Sequence, residues 1–559
     1  MILGKPRTTG RRWLRGLVVT IAVLATILLI AYGVIMKVTS INPPSPSASD
    51  VAGELPVEAH GARAAVGPNW LSRERGIWEL HLEGEPYAMG WAHARLASRL
   101  FAEAEGFMFS EMHRYVPSKI ALFFIRVGVR LKFRHLPDFI PPDRMLEMAG
   151  EARAVVDGHG DFLPLFHRLV FYHALHDITQ GLEHSPLLGC SAFAASGAAT
   201  ASGHLIIGRN FDFEGPEPFD KDKIVLFFKP KGKIPFASVA WAGMTGVVTG
   251  MNAEGIYISI NAARSDDKGK DGIPVELLLR EVMEGARSLD EAIAILRAHE
   301  VMVPDFYLIG DGKTGEAAVV ERTPARMEVR RSRDTLISTN HAVAPAFAKD
   351  VENDRLRRYT TSDARLKRMT ELVHQSRGAL DPRRALEILR DKKGQGGEPL
   401  GLGNRNTLDA IIATHSVVVD ATTLTMWVGV GPHCLGRYVG FDLRKELLGE
   451  DRPPPIDLPA DPILDGGDLR DFRQSLAELS YAEALDKQGE HARAIEAATR
   501  AEAIAEKLPE PHKLLGDLLR AGGRPEDKER ARTEYRRFLE LSPPYLRDIE
   551  SVKGILESL

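Results

Sequence analysis

Cysteine is scarce: the chain has two, Cys190 and Cys434, in 559 residues. Two cysteines cannot build the disulfide framework that staples small secreted domains, and a single bridge between them is the one alternative to free thiols. Charge of one sign is also missing. The 72 Lys and Arg nearly balance the 76 Asp and Glu, for a net charge of -4, which excludes the basic footprint of a nucleic-acid binder. No His-Glu-x-x-His motif or paired Cys-x-x-Cys is present, and His184 and Cys190 stand alone, so no metal is expected. Gly401-Leu402-Gly403 follows no strand pattern, so no phosphate loop and no cofactor are expected.

Long apolar runs are absent with one exception. Leu17 to Met36 is uncharged and apolar over 20 residues, which at about 1.5 Å per residue matches a hydrocarbon core of roughly 30 Å. Lys5, Arg7, Arg11, Arg12 and Arg15 precede it and Lys37 follows. Positive charge stays inside, which predicts a single-pass membrane anchor with a cytoplasmic N-terminus and the remainder outside, periplasmic or extracellular. A cleaved signal peptide is the alternative, but the run is long for a signal core and no Ala-x-Ala site closes it.

The rest divides by composition and period. The reading is a basic tail (1–16), the anchor (17–36), a Pro/Ser linker (37–56), a mostly helical segment (57–189), a strand-rich core (190–450), a Pro-rich linker (451–470) and a helical C-terminal region (471–559). In the helical segment Ile77–Gly84 alternates as a strand, and helices are expected over 86–108, 144–156 and 162–180. Ile120 to Phe133 interleaves apolar residues with Arg126, Arg130 and Lys132. It is expected to be a core-facing helix with solvated arginines, with a membrane-surface helix as the alternative. In the core, runs such as 223–228, 236–240, 255–260, 305–310, 317–321, 415–420 and 423–429 read as strands around two helices, 274–286 and 288–299, the second capped by Ser288. Strands in two groups with helices between them point to a layered α/β or α+β sandwich. In the C-terminal region Tyr481–Gly489 recurs 34 residues later as Leu515–Gly523. That period resembles tetratricopeptide repeats, which await a protein partner or pack on the core; a plain helical extension is the alternative.

The chemistry centres on Gly189-Cys190-Ser191-Ala192-Phe193 and Gly208-Arg209-Asn210-Phe211-Asp212. Two strands joined by a turn would set a thiol beside an Arg and an Asp. A lone Cys is more often a small buried hydrophobe, but here three further stretches follow a common order. Glu85-Pro86-Tyr87-Ala88-Met89-Gly90 lies ahead of the thiol, Gly250-Met251-Asn252-Ala253-Glu254-Gly255 forms a turn after it, and Ser338-Thr339-Asn340-His341 comes later. Together, from about Gly84 to Leu443, they resemble the acyl-coenzyme A:6-aminopenicillanic acid acyltransferase-like family of cysteine N-terminal-nucleophile hydrolases. Bile salt hydrolases and penicillin V acylases are more distant.

The resemblance implies an α+β fold, a four-layer αββα sandwich, here with a helical N-terminal segment, a transmembrane helix and a C-terminal helical-repeat region. It implies self-cleavage between Gly189 and Cys190, so that Cys190 carries both the thiol and a free α-amine. An α-amine with pKa near 8 serves as base without a histidine. Arg209 and Asp212 would flank the nucleophile, the Arg favouring thiolate and the Asp holding the amine; a plain structural ion pair is the alternative. Asn340 would donate to the oxyanion, with Asn261 as second donor and Asn252 as its substitute, and Arg405 is the candidate for the family's late Arg. His341 and His415 sit in no papain-like context. The implied activity is hydrolysis of linear non-peptide amides of small molecules, acyl-chain substrates being plausible beside a membrane. An acyltransferase to an amine acceptor and a non-catalytic membrane scaffold are the rivals.

Overall fold

The computed structural model describes residues 9–180, 188–213 and 217–559. Lys5 and Arg7 of the basic tail, and His184, lie outside the described residues. The apolar run forms one helix, Thr9–Val38. Trp13–Val38 within it is long and apolar enough to cross a membrane and packs against nothing over most of its length. The following linker contains a single turn of helix, Ala48–Ala52, which Ser47 caps by accepting from the Asp50 N–H.

Two sheets make the centre. The eleven-stranded sheet runs from the edge strand Glu58–His60 to Met327–Ser332, and the six-stranded sheet from Thr335–Ser338 to Tyr438–Asp442. The larger sheet draws on both sides of Cys190: Trp78–Gly84 pairs in parallel with Ile224–Pro230. The short strands Glu58–His60, Arg63–Val66 and Asn69–Ser72 join the same sheet ahead of it. Residues 57–189 are therefore not only helical. Strands of three and four residues are too short to show a period.

Apolar side chains fill the space between the sheets. Ala192, Ala194, Ile207, Val417 and Val419 of the smaller sheet meet Val225, Phe227, Val239 and Val319 of the larger. The strands are unbroken apolar runs because both of their faces are buried. Truncating a ring such as Phe227, wholly buried, to Ala costs about 3–5 kcal/mol. The outer face of the larger sheet carries Val275–Gly285 and Leu289–Ala298, with Leu278, Val282 and Leu296 against Ile258 and Ile309. The outer face of the smaller sheet carries Ser362–Gln375 and Pro382–Leu389, with Met369, Val373 and Leu386 against Phe193 and Val418. These last helices, and Val351–Tyr359 ahead of them, are absent from the sequence reading because arginines and acids dilute their apolar stripe.

Helix Lys119–Lys132 departs from its expectation. Ile120 is 72% and Phe124 66% exposed, whereas Arg130 is buried. Arg130 donates to Thr39 Oγ1 at 2.9 Å and to the Met36 carbonyl at 3.1 Å, and Phe123 lies 5.6 Å from the Tyr32 ring. The arginine faces inward because it satisfies the C-terminal carbonyls of the long apolar helix.

Beyond residue 450 the chain runs Gly467–Lys487, His491–Ile504, Pro509–Gly522, Pro525–Glu540 and Leu546–Ser558, all helical. The first of these starts inside the 451–470 stretch assigned to a linker.

Candidate functional site

Cys190 lies on strand Leu188–Ala195, which pairs antiparallel with Ile206–Phe213. Register decides which side chains share a face. Cys190 stands opposite Phe211 and Ala192 opposite Arg209, so thiol and guanidinium share the inner face. Gly189 stands opposite Asp212, so the carboxylate projects on the other face, toward the helices. The thiol is 1% exposed.

Arg209 is fully buried. Its Nη2 lies 3.8 Å from Cys190 Sγ. The guanidinium is held by the Val248 carbonyl at 2.6 Å, by Thr249 Oγ1 and by the Ile260 carbonyl. Burial pushes the Cys190 thiol up, and Arg209 beside it pulls the other way without prevailing. In the intact chain Cys190 is thus a thiol.

Asn340 lies two residues beyond the edge strand Thr335–Ser338, which pairs with the strand of Cys190. Its Oδ1 accepts from the Cys190 N–H at 3.0 Å, and its Nδ2 donates to the Ala262 carbonyl at 2.8 Å. Asn261 donates through Nδ2 to Ser338 Oγ at 3.2 Å and to the Thr339 carbonyl at 3.1 Å, pinning the segment that presents Asn340. Asn252 is a turn residue. Its Oδ1 accepts from the N–H groups of Glu254 and Ile256, and its Nδ2 bonds the Met283 and Ala286 carbonyls.

The residue the sequence reading missed is Arg365. It sits on helix Ser362–Gln375, buried, at the centre of the cluster. Nη1 donates to the Cys190 carbonyl at 2.6 Å and to Ser191 Oγ at 2.7 Å. Nη2 donates to Asn340 Oδ1 at 2.7 Å. One planar fork thus ties the nucleophile strand to the asparagine. Asp212 is lifted from 3.8 to about 7, by burial first, with Arg365 the strongest of the charges opposing the rise and Asp409 adding to it. Arg405 also lowers it from the loop after Gly403, where it donates to the Gly403 and Ala410 carbonyls at 3.2 and 3.0 Å.

The two histidines do other work. His415 is buried and held far below its ordinary value; its Nε2 meets Thr249 Oγ1 at 2.8 Å and its ring stacks on Phe211. Burial lowers His341 to about 4, and its Nδ1 meets Ser362 Oγ at 2.8 Å. Both cysteines are free. In the C-terminal helices, Glu502, His512 and Glu534 gather within 4.8 Å. Both nitrogens of that imidazole are engaged, Nδ1 with Glu534 Oε2 at 2.8 Å and Nε2 with the Glu506 carbonyl at 3.2 Å, which makes the group an ion pair.

A cavity of about 1770 Å³ opens onto this cluster, with Gly189, Asp212, Asn340, Arg365 and Arg405 in its wall. Cys190 sits directly behind Gly189.

Residues 199–428 match the family model of acyl-coenzyme A:6-aminopenicillanic acid acyl-transferase. The match holds Arg209, Asp212, Asn261, Asn340, Arg365 and Arg405 and begins downstream of Cys190. An uncharacterised protein of Archaeoglobus fulgidus is 24% identical over 354 residues, covering 56% of this chain and 58% of its own. Acid ceramidase of Pan troglodytes is 25% identical over 174 residues, 26% of this chain and 44% of the ceramidase. An N-acylethanolamine-hydrolyzing acid amidase of Caenorhabditis elegans is 26% identical over 164 residues, 28% of this chain and 45% of the amidase. The chain spans about half the length of these relatives.

Proposed function

We propose that the chain is a membrane-anchored, exported, self-cleaving cysteine hydrolase of the N-terminal-nucleophile type, with a four-layer αββα core, acting on linear non-peptide amides. The observation that carries this reading is the Cys190–Asn340–Arg365 cluster, with Gly189, Asn340 and Arg365 lining the cavity. The thiol adds to the Gly189 carbonyl carbon, the C–N bond breaks, and the thiol proton passes to the nitrogen. Water then hydrolyses the resulting thioester. The products are a Gly189 carboxylate ending the 57–189 segment and a Cys190 α-amine beginning the 190–450 core.

The new amine takes the thiol proton for each later turnover. The thiolate attacks the amide carbonyl of the substrate, the amine leaves with a proton, and water releases the acid from the Cys190 thioester. Arg209 favours thiolate, Asp212 and Asn340 hold the amine, Arg365 fixes both strands, Asn261 supports Asn340 and Arg405 moderates Asp212. Relatives named for ceramide and N-acylethanolamine hydrolysis support an N-acyl amide as substrate. The exposed apolar face of Lys119–Lys132, fixed to the last turns of the Thr9–Val38 helix, supports a membrane surface on that side.

N-terminal sequencing of the purified full chain is the test. A fragment beginning at Cys190, absent from the Cys190→Ala chain, is expected. An intact wild-type chain whose function survives Cys190→Ala would replace the enzyme with a scaffold, and new amide formed from added amine acceptors would make it an acyltransferase.

A further inference from the structure

The large cavity does not belong to the two-sheet core alone. Part of its wall comes from the C-terminal helices: Phe472, Leu476 and Leu479 of Gly467–Lys487, with Leu508 and Tyr545. The first three follow at i, i+4 and i+7, one stripe of a helix. Further along the same helix, Ala482 and Leu485 pack on the next helices of the region. The first stripe does something different. Phe472 packs with Leu469 and Leu508 against Ile411 and Leu435 of the core, while Leu476 stays 38% exposed at the cavity.

The C-terminal region is seated closely. A Cβ on Gly401 would lie 2.2 Å from the Lys507 carbonyl oxygen, and one on Gly403 2.3 Å from the Phe472 ring. Asn404 Nδ2 donates to the Ser542 carbonyl at 3.2 Å, and Ser542 Oγ donates to Glu398 Oε1 at 2.6 Å. The wall is therefore fixed in place. From the core side Val351, Leu356, Ile411 and Ile412 line the same space, which also takes in Gly189, Asp212, Asn340 and Arg365 of the cluster. At about 1770 Å³ the space exceeds the roughly 300–1,000 Å³ of a site for a compact small molecule.

We propose that the C-terminal helices form the acyl-chain wall of the substrate site: Phe472, Leu476 and Leu479 hold the distal part of a long apolar acyl chain whose amide carbonyl lies at the Cys190 end. This rests on the hydrolase reading and adds to it a substrate class and a role for the repeats. An apolar stripe open to a cavity, continuous with the nucleophile cluster, matches an apolar chain attached to the reacting amide. The inward face of the repeats is then occupied by substrate rather than by a partner protein.

The test uses the full chain in lipid nanodiscs and a series of N-acyl p-nitroanilides from butanoyl to palmitoyl. Leu476→Ser and Leu476→Trp are the variants, since Leu476 is partly exposed and outside the docking core. Each methylene that loses its apolar contact costs about fourfold in kcat/KM. Both variants are expected to lower kcat/KM for palmitoyl at least tenfold, chiefly through KM, and to leave butanoyl within twofold of wild type. An unchanged chain-length profile in both variants overturns the wall. If wild type cleaves no probe, the hydrolase reading fails separately, and binding of a fluorescent long-chain fatty acid to the Cys190→Ala chain decides the wall. Binding weakened tenfold by Leu476→Ser supports it, and binding that ignores the substitution or is absent overturns it.

Discussion

Asp212 makes the intact chain sensitive to pH in a calculable way. The carboxyl is 3% exposed and lifted from 3.8 to about 7. At about 1.4 kcal/mol per pH unit, holding it ionised in the folded chain costs about 4 kcal/mol. Between those two values the unfolded chain has lost the proton and the folded chain keeps it. The folded state therefore binds more protons, and stability falls as pH rises through this window and levels off above about 7. More than half of the total falls between pH 5 and pH 8.

The measurement is amide hydrogen exchange of the paired strands Leu188–Ala195 and Ile206–Phe213, resolved by peptide, in the Cys190→Ala chain so that the backbone stays whole. After correction for intrinsic exchange, raising the pH from 5 to 8 is expected to increase opening by roughly a hundredfold more with Asp212 than with Asp212→Asn. Comparing the two chains cancels other buried acids, such as Glu151 and Glu276, that burial lifts in the same direction. Equal pH sensitivity in both chains would refute the reasoning, because Asp212 would then be ionised in the fold at no cost.

Arg365→Lys keeps the charge but loses the fork that reaches the Cys190 carbonyl, Ser191 and Asn340. At about 1.5–3 kcal/mol per charge-assisted bond lost, the expected result is at least tenfold slower scission at Gly189, followed on a denaturing gel; an unchanged rate contradicts the role. Gly403→Ala, at φ +82° and against the Phe472 ring, is expected to cost about 2 kcal/mol of docking and to speed proteolysis within 451–461 at least tenfold. Unaltered cleavage there would mean that Phe472 moves aside freely.

Much of the architecture was legible because it rests on local pattern. Strands such as Ile224–Pro230 and Ile256–Ala262 are buried along both faces and announce themselves as apolar runs. Ser288 accepts from the Glu291 N–H at 3.2 Å, the cap its sequence advertises. What escaped depends on register and long range. Sequence proximity grouped Asp212 with the thiol, but strand alternation pairs Asp212 with Gly189 and turns the carboxylate to the helix-facing side, away from the thiol. Arg365 hid among the neighbouring cations Lys367 and Arg368. A trace of it was there: Ser362, Arg365, Met369 and Val373 form the buried stripe of their helix, so an arginine occupies a position where the period calls for an apolar side chain. The meeting of residues 401–412 with 469–508 left no local mark at all, since it is set by packing between segments some sixty residues apart.

The charge states in the site bear on why a chain would place its nucleophile in mid-sequence. Burial raises the Cys190 thiol, raises Asp212 to about 7 and drives His415 far down, so these three groups are driven toward their neutral forms. Among the described residues no ready side-chain base stands here: the imidazoles of His415 and His341 are already committed to Thr249 and Ser362, and the buried carboxyl shares its proton at neutral pH. A backbone amine released beside the sulfur is a base that burial of side chains cannot supply in advance, with a pKa near 8 set by its own chemistry. On the self-cleaving reading, this buried, tightly bonded environment is also the one in which a newly freed terminus adds a base beside the thiol. Arg209, held by three backbone and hydroxyl acceptors on the inner face, then stabilises the thiolate without having to move.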